Sequence, residues 1–388
     1  MRILFVTQYD LLNPAAGGPV YKVRALSKHL ARRGHSVTII TAKANTEFAD
    51  QDKLQFGEWE ERIRIIRLST LLRYRAVTVN PGAWLAARRE IPRVDVIHLF
   101  GFYDLLGPVV AHAAKANDVP YVLEPIGMLI PIVRSLRKKR LYHRWFGRRL
   151  VEDAVRVVAT SSQEKNELVQ AGIPVERIVQ RRNGIDLTEF SDLPERGRLR
   201  RKLGITSEER VLLYLSRLSA KKNPDMLLRA FAELDLPDTR LLMVGPHENG
   251  YLKQLQRLGE TLGLDRKVVF TGPLYGQEKL SALVDADLFI LPSQNENFGN
   301  VIAEAIATST PVVITDQCGI AEHIRDRAGL VVAVEKTAVR DAIARLLLDA
   351  ALYATLTDEC QDVARELSWE QPVRQMESVY MEASAGIL

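Results

Sequence analysis

The feature that most limits the possible folds is a regular alternation of short apolar runs with helical patterns, and it occurs twice along the chain. In the first set, residues 3–6 predict a buried strand, 19–33 a helix, and 36–41 the next strand. Further buried strands are predicted at residues 94–100, 120–123 and 156–160. Strands that alternate with helices in this way are typical of a parallel sheet covered on both faces.

The pattern restarts after a polar, Arg-rich stretch at residues 191–202. Second-set strands are predicted at residues 211–215, 240–244, 267–270, 288–291 and 311–314. Because 388 residues exceed what one core usually holds, we predict two doubly wound α/β domains, residues 1–190 and 191–370. Ligands of such sheets bind outside the carboxyl ends of the strands, so we expect the active site in a cleft between two facing domains.

Composition and charge narrow the possible classes of protein. No apolar run approaches the roughly 20 residues that span a bilayer, and no signal-peptide pattern follows Met1, so we expect a cytoplasmic protein. Cys318 and Cys360 are not spaced as the cysteine ligands of a metal site are, so we expect two free thiols. Residues 1–190 carry 30 Lys and Arg against 19 Asp and Glu, whereas residues 191–388 carry 23 against 29. The basic first half favours an anionic partner, such as a membrane leaflet or a phosphorylated acceptor.

The segment 291–307, LPSQNENFGNVIAEAIA, joins a strand end, a polar loop and the start of a small-residue helix. Backbone N–H groups at Phe298, Gly299 and Asn300, together with the helix dipole, would form an anion site suited to a phosphate. Glu296 and Glu304 flank that site, and carboxylates repel phosphate, so we interpret them as acceptors for neutral hydroxyl groups on either side. A purely structural alternative is that both residues simply complement the helix dipole.

Two cations follow the predicted strand at residues 211–215. Arg217 and Lys222 leave its carboxyl end and could neutralise a diphosphate leaving group, Arg as a fork and Lys as a point charge. The structural alternative is a solvated loop with surface cations. Both motifs in this order favour a diphosphate site.

These motifs resemble the donor site of the retaining glycosyltransferases of family 4, which have the GT-B fold of two facing Rossmann-like domains. The matching pattern is Arg217-x4-Lys222 followed by Glu296-x-Phe-Gly-x4-Glu304. Further segments that resemble the family, in order, are the glycine-rich loop at 13–21, Gly127-Met-Leu129, Arg182-Asn-Gly-Ile-Asp186, and Trp369 with the terminal helix ending near Tyr380. The resemblance covers most of the chain and implies that a helix at about residues 371–388 packs back on the first domain.

The resemblance implies a role for each matching residue. Arg217 and Lys222 would clamp the diphosphate, Glu296 would hold hydroxyls of the transferred sugar, and these three form the expected catalytic set. Glu304 would hold the donor ribose. The remaining expected donor contacts are the backbone at Phe298, Gly299, Asn300 and Val301, Gly18 from the first domain, and Leu274 beside the base.

The acceptor side is expected in the first domain. The resemblance places Gly17 and Gly127 there, but many relatives have a His two positions before the Met of the Gly-Met-Leu segment, where this chain has Ile126. Glu124 is a candidate replacement for that His, and His98 could also line the cleft or be a buried structural histidine. The spacing of these residues favours none of the alternatives.

The implied reaction transfers a sugar from a nucleoside-diphosphate sugar to a hydroxyl of a glycan or lipid-linked acceptor, with retention, in cell-surface polysaccharide or glycolipid synthesis. The resemblance implies no metal, no covalent intermediate and no cofactor besides the nucleotide sugar as co-substrate. Asp285-Ala-Asp287 has the spelling of a metal-binding motif, but its place before a buried strand favours loop and capping roles.

A basic segment at residues 134–149, RSLRKKRLYHRWFGRR, contains eight Lys and Arg and no acid. At helical spacing, residues 138, 141, 142, 145 and 146 share one side, which predicts a basic amphipathic helix. We expect it to contact an anionic membrane surface on the inner face of the plasma membrane, through Arg137, Lys138, Lys139, Arg140, Arg144 and Trp145. Alternatively, the helix packs its aromatic residues on the core and leaves its cations in water.

The same sequence features are compatible with other functions. A GT-B sugar-nucleotide epimerase would use the same donor residues without an acceptor, and a two-domain solute-binding protein also has facing α/β units. A glycoside hydrolase with Glu296 and Glu304 as its carboxylate pair fits poorly, because Arg217 and Lys222 then have no role. Nucleic-acid binding is not expected, since the basic run lacks a recognised motif.

Overall fold

The structure is a computed structural model that describes residues 1–11, 17–43, 61–74, 77–130, 136–234, 236–248 and 250–387, without the side chains of residues 136–138. Residues 13–16 of the glycine-rich loop at residues 13–21 lie outside the described residues. The chain forms two compact units, Met1–Asn183 with Trp369–Leu388, and Gly184–Ser368. The boundaries therefore lie at 183/184 and 368/369, whereas the sequence suggested 190 and 370.

The first unit is built on a seven-stranded sheet with the order β3-β2-β1-β6-β7-β8-β9, in which every pair is parallel. Its strands are β1 (Arg2–Thr7), β2 (Ser36–Ala42), β3 (Ile63–Leu68), β6 (Val96–Phe100), β7 (Tyr121–Glu124), β8 (Arg156–Ala159) and β9 (Ile178–Gln180). Strands β4 (Leu72–Tyr74) and β5 (Val77–Val79) form a separate antiparallel pair.

Helices cover both faces of this sheet. They are α1 (Gly18–Arg32), α2 (Ala83–Glu90), α3 (Leu106–Lys115), α4 (Leu136–Tyr142), α5 (Arg148–Glu152), α6 (Ser162–Gln170) and α15 (Glu370–Ser384). One core joins Ile3 and Phe5 of β1 to Leu26 of α1 and Met376 of α15. The other core lies on the opposite face and includes residues of α2 and α3. The terminal helix is thus an integral part of the first unit.

The second unit repeats the plan on a six-stranded parallel sheet with the order β12-β11-β10-β13-β14-β15. Its strands are β10 (Arg210–Leu215), β11 (Thr239–Val244), β12 (Val268–Gly272), β13 (Leu288–Leu291), β14 (Val312–Thr315) and β15 (Gly329–Val332). Its helices are α7 (Arg198–Leu203), α8 (Pro224–Ala232), α9 (Tyr251–Thr261), α10 (Gly276–Asp285), α11 (Asn300–Ala307), α12 (Ala321–Ile324), α13 (Lys336–Leu348) and α14 (Ala350–Glu366). Two doubly wound α/β units are therefore present, as the strand pattern predicts.

The strand order reverses once in each sheet, between β1 and β6 in the first unit and between β10 and β13 in the second. Such switch points are where open α/β sheets bind ligands, because the loops at the carboxyl ends of the two strands diverge there. Within the described residues, no helix is long and apolar enough to cross a bilayer. Cys318 and Cys360 are buried free thiols, and burial raises the pKa of each to about 12.

Candidate active site

The switch point of the second unit brings the two sequence motifs together. β10 and β13 are neighbours, and the loops that leave their carboxyl ends are hydrogen-bonded to each other. The Gln294 N–H donates to the Lys221 carbonyl at 2.9 Å, and Gln294 Nε2 donates to Asn223 Oδ1 at 2.7 Å. These bonds fix the loop that carries the two cations against the loop that carries Glu296.

Lys222 and Glu296 are in direct contact at this junction. The Lys222 ammonium is bonded to Glu296 Oε2 and lies 3.4 Å from the Asn295 carbonyl oxygen. Their side chains are 16% and 22% exposed, so both remain accessible to a ligand. The predicted convergence of the two motifs is therefore present in the structure.

Arg217 lies on the same edge of the sheet and is more exposed. Its Nη1 lies 2.9 Å from Glu248 Oε1, in a pair whose side chains are 54% and 44% exposed. The backbone beside it is closely packed, because a Cβ atom on Gly245 would lie 1.9 Å from the Ser216 carbonyl oxygen. Only glycine permits that approach at a φ of 143°. Arg217 thus has a fixed backbone and a side chain that can exchange Glu248 for another anion.

The helix predicted to begin near Gly299 is α11. Gly299 is its N-cap, with a φ of 99°, and the Ile302 N–H donates back to the Gly299 carbonyl at 2.9 Å. The loop that precedes the helix is hydrogen-bonded to the segment that follows β14. The Glu296 N–H donates to the Gln317 carbonyl, and the Ile320 N–H donates to the Phe298 carbonyl. A fixed helix N-terminus that follows a loop in contact with Lys222 is suited to an anionic ligand.

Glu304 lies in the second turn of α11 and is 6% exposed. Lys279 Nζ of α10 lies 2.9 Å from its Oε2, within ion-pair distance but without the alignment of a hydrogen bond. Asn300 and Val301 are half-buried, Phe298 is 2% exposed, and Leu274 is partly buried against the core of this unit. All predicted donor residues except Gly18 thus belong to the second unit.

Two family models match this chain. The model of glycosyl transferases group 1 matches residues 195–363, and that of a glycosyl transferase 4-like domain matches residues 17–184. A D-inositol 3-phosphate glycosyltransferase from Nocardioides sp. is 31% identical over 410 residues, which cover 96% of this chain and 86% of that protein. The chain belongs to the group 1 glycosyltransferases. The resemblance inferred from the motifs is confirmed, and with it the enzyme class.

Solved structures show the fold of this glycosyltransferase. HepE from Anabaena, in complex with UDP and glucose, aligns with a TM-score of 0.77 at 22% identity and covers 98% of this chain and 100% of its own. Sucrose-phosphate synthase from Thermosynechococcus elongatus aligns with a TM-score of 0.78 at 23% identity, covering 99% of both chains. The predicted GT-B fold is confirmed, and membership of an enzyme family argues against the solute-binding alternative.

In the first unit of the glycosyltransferase, Glu124 and His98 lie inside a charged cluster. Both are 0% exposed, and the Glu124 carboxylate is bonded to Lys22 of α1 and to Arg181 beyond β9. His98 Nδ1 is hydrogen-bonded to the Tyr380 hydroxyl at 2.6 Å, and its Nε2 lies 3.5 Å from Glu124 Oε2. Neither side chain has surface for an acceptor, so Glu124 does not replace the missing His by direct contact in this structure.

The remaining predicted acceptor residues lie in loops at the carboxyl edge of the first sheet. Gly17 is exposed at the start of α1, next to the predicted donor residue Gly18, which is also exposed. Ile126 and Gly127 follow β7 in the left-handed region, with φ values of 55° and 65°. The Gly127 N–H donates to Glu164 Oε1 at 2.5 Å, which holds this turn in place.

The described part of the basic segment, from residue 136, lies in α4, in a π-helical turn at His143–Gly147 and in the start of α5, which follow one another without a break. Leu141 and Trp145 are 56% and 65% exposed, whereas Tyr142 turns inward and donates from its hydroxyl to the Asp104 carbonyl at 2.8 Å. Of the predicted membrane contacts, Arg140 and Arg144 are exposed, and Lys139 Nζ lies 5.1 Å above the Tyr103 ring. The side chains of Arg137 and Lys138 lie outside the described residues.

Asp285 and Asp287 act as capping and pairing residues. Asp285 accepts from the N–H groups of Leu199 and Arg200 at the start of α7, and Asp287 accepts from Arg200 Nη2 and from the Val211 N–H. Among the described residues, no group of three or more His, Cys, Asp or Glu is arranged to hold a metal ion.

Sequence reasoning missed Lys279 and Glu248, which contact predicted site residues. Glu248 follows β11, the neighbour of β10, so the rule that ligands bind at carboxyl strand ends could have found it. Lys279 lies on an ordinary surface helix and carries no such signal.

Proposed function

We propose that this glycosyltransferase moves a sugar from a nucleoside-diphosphate sugar to an acceptor hydroxyl with retention of configuration. The observation that carries the proposal is the contact of Lys222 with Glu296 at a switch point, beside the N-terminus of α11 and the exposed Arg217. A cation for the diphosphate and a carboxylate for sugar hydroxyls are in direct contact there, and Arg217 supplies a second cation on the same edge of the sheet.

Charge complementarity assigns the parts of the donor. The diphosphate binds Arg217, Lys222 and the backbone at the start of α11, because these groups supply positive charge and N–H donors. Glu296 accepts from hydroxyls of the transferred sugar, and Glu304 accepts from the ribose. Lys279 stays near Glu304 and offsets the desolvation of that buried carboxylate.

In the proposed reaction, the acceptor oxygen forms a bond to the anomeric carbon on the face from which the diphosphate leaves. The bond between that carbon and the diphosphate oxygen breaks, and the acceptor proton passes to the departing phosphate. Arg217 and Lys222 stabilise the charge that develops on the leaving group. This scheme needs no metal and no covalent intermediate.

UDP-sugars and D-inositol 3-phosphate are the first substrates to test. HepE is described with UDP and glucose, and several relatives are named for D-inositol 3-phosphate. The basic first half of the chain also suits a phosphorylated acceptor. We propose acceptors of this anionic kind or lipid-linked glycans, with a role in glycolipid or cell-surface polysaccharide synthesis.

The donor assignment predicts ligand-dependent stabilisation. A panel of UDP-, GDP- and ADP-sugars at about 100 times Kd should raise Tm by roughly 5 to 10 °C for the preferred nucleotide. Arg217→Ala should lose most of this shift, measured by differential scanning fluorimetry. Arg327→Ala is the matched control, because Arg327 is a partly exposed Arg paired with Glu359 and Glu366 near the amino end of β15.

The donor assignment is wrong if no nucleotide sugar stabilises the wild type, or if Arg217→Ala and Arg327→Ala respond alike. The epimerase alternative is tested with the same donor and no acceptor. Appearance of an epimer in NMR spectra would support the epimerase, whereas product that requires an acceptor supports transfer.

We also propose that the exposed part of the basic helix binds an anionic leaflet. Leu141 and Trp145 can enter the headgroup region while Arg144, Arg148 and Arg149 contact lipid phosphates. Changing the three arginines to Ala should weaken sedimentation with phosphatidylglycerol liposomes at least about tenfold.

The matched control for the liposome experiment changes three exposed arginines of α2 and the turn after it, Arg88, Arg89 and Arg93, to Ala. This control should keep the binding of wild type. Equal binding by both triple variants, or equal binding to neutral phosphatidylcholine, would contradict the membrane proposal.

A further inference from the structure

The ion pair of Lys279 and Glu304 joins α10 to α11 beside the proposed donor site. Lys279 Nζ lies 2.9 Å from Glu304 Oε2, and the two side chains are 27% and 7% exposed. α10 begins after β12 and α11 begins after β13, so both helices start at the carboxyl edge of the second sheet. Because helical side chains lean toward the N-terminus of their own helix, the pair lies near the edge where such sheets bind ligands.

The position of Lys279 within α10 gives no local reason for a cation. Lys279 lies in the first turn of the helix, where its N–H donates to the Tyr275 carbonyl at 3.4 Å. A cation there opposes the helix dipole, whereas an acid such as Glu278 of the same turn complements it. The benefit of Lys279 therefore comes from outside its own helix, and Glu304 is the anion within reach.

A structural pair that only holds the two helices together is the simplest alternative. α10 is already anchored in other ways, since Ser281, Ala282 and Leu283 are buried and the Thr310 hydroxyl donates to the Leu283 carbonyl at 3.0 Å. A buried ion pair also adds little stability, because the cost of removing both charges from water offsets their attraction. The effect of the pair on the carboxylate explains it better.

Lys279 makes it possible for Glu304 to be buried and still present a charged acceptor. A buried carboxylate is costly unless a cation compensates its charge. The ammonium contacts Oε2, which leaves Oε1 for a hydroxyl group of a ligand. The contact also restricts the side chain of Glu304, so its orientation is set before the ligand binds, and the ligand has less ordering to impose.

We propose that Lys279 is a positioning residue for the ribose of the donor: it holds Glu304 through Oε2, so that Oε1 accepts from a ribose hydroxyl. This role rests on the proposed donor assignment, in which Glu304 binds the ribose. The ribose takes no part in bond making, so its contacts are equally strong in the ground state and the transition state. Lys279 therefore strengthens donor binding and favours ribonucleotides, without changing the chemical step.

Lys279→Met tests this role because it keeps the length of the side chain and removes its charge. The donor KM should rise about 5- to 30-fold, while kcat stays within about twofold of wild type. Lys279→Arg keeps the charge and should bring the donor KM back to within about threefold of wild type. A pair that only joins the helices would change the thermal midpoint and leave the donor KM of the folded enzyme unaltered.

Lys202→Met is the matched control, because Lys202 Nζ lies 2.6 Å from Glu278 Oε1 on the same helix, at an exposed position. It removes one positive charge and one ion pair of α10 without touching Glu304, so the donor KM should stay that of wild type. Lys279→Met added to Glu304→Gln should change donor affinity by less than about twofold, since Lys279 acts through Glu304. Fully additive losses would overturn the proposal.

Calorimetric titration of the full chain with UDP, GDP and ADP, each against its 2′,3′-dideoxy analogue, tests the ribose directly. Wild type should prefer the ribose form, and Lys279→Met should lose most of that preference while binding the dideoxy analogue as wild type does. The same preference in wild type and Lys279→Met overturns the role of Lys279 and leaves the donor assignment standing. No binding by wild type, or no preference for ribose, contradicts the donor assignment itself and the role of Lys279 with it.

Discussion

Replacing Lys222 with methionine should lower kcat/KM for sugar transfer by about 10²- to 10³-fold. In the proposed reaction the ammonium stabilises charge that develops on the leaving diphosphate, and it also holds Glu296, which positions the sugar. The variant keeps the length of the side chain and removes its charge, so both contributions are lost together. Steady-state kinetics with the preferred nucleotide sugar measures the effect, and the loss should fall mainly on kcat.

Lys221→Met is the matched control, because Lys221 occupies the same short turn but its side chain is exposed. It should keep kcat within about twofold of wild type, since surface charges are well screened. Equal losses in both variants would point to a general effect of loop charge. Full activity of Lys222→Met would remove Lys222 from the catalytic set.

The core of the fold could be predicted because central parallel strands are buried on both faces and leave continuous apolar runs. Strands β3, β9 and β15 were not predicted, and each lies at the edge of its sheet. β3 lacks that signal because it is partly exposed and carries Arg64 and Arg67 among its apolar residues.

The donor motifs could be predicted from local sequence because each lies within a few residues of a strand end. The ion-pair partners of those residues could not be predicted, since these pairs join different helices or loops, at positions far apart in the chain. Lys279 with Glu304 and Arg217 with Glu248 are examples. Their position at the ends of predicted strands identified the residues proposed to face a ligand. Which charged residues pair with them depends on the order of the strands in the sheet, and the local sequence does not reveal that order.

Glu124 is a residue whose burial could not be predicted from the sequence. Its position two residues before Ile126, where many relatives have a His, made it a candidate for the acceptor side, but Lys22 and Arg181 reach it from 102 and 57 residues away. A strand end predicts proximity to the functional edge of the sheet without predicting whether the side chain is exposed. Its buried environment gives it a structural role that can be tested directly.

Glu124→Ala should lower the free energy of unfolding by about 3–5 kcal/mol, because it leaves two buried cations without their carboxylate. Lys22 and Arg181 have side chains that are 3% and 0% exposed. Burial opposes the charge of Glu124, but Arg181 and Lys22 together hold its pKa well below the usual range. Urea denaturation of the full chain measures the change.

Lys22→Met should cost less than Glu124→Ala, because the Glu124–Arg181 pair then remains balanced in charge. Glu152→Gln, at the exposed pair of Arg148 and Glu152, should leave the urea midpoint unchanged. If Glu124→Ala and Glu152→Gln behave alike, the cluster does not stabilise the first unit.

The pH dependence of the stability of Glu124→Gln is a second, independent test of the cluster. Burial lowers the pKa of Lys22, and Glu124 is the largest influence that opposes this shift. Without the carboxylate the folded-state pKa of Lys22 falls further below its unfolded value, so the unfolded state binds more protons. The stability of the variant should therefore rise with pH more steeply than that of wild type as pH approaches 10. Parallel stability curves for the two proteins would show that Lys22 does not depend on Glu124 for its charge.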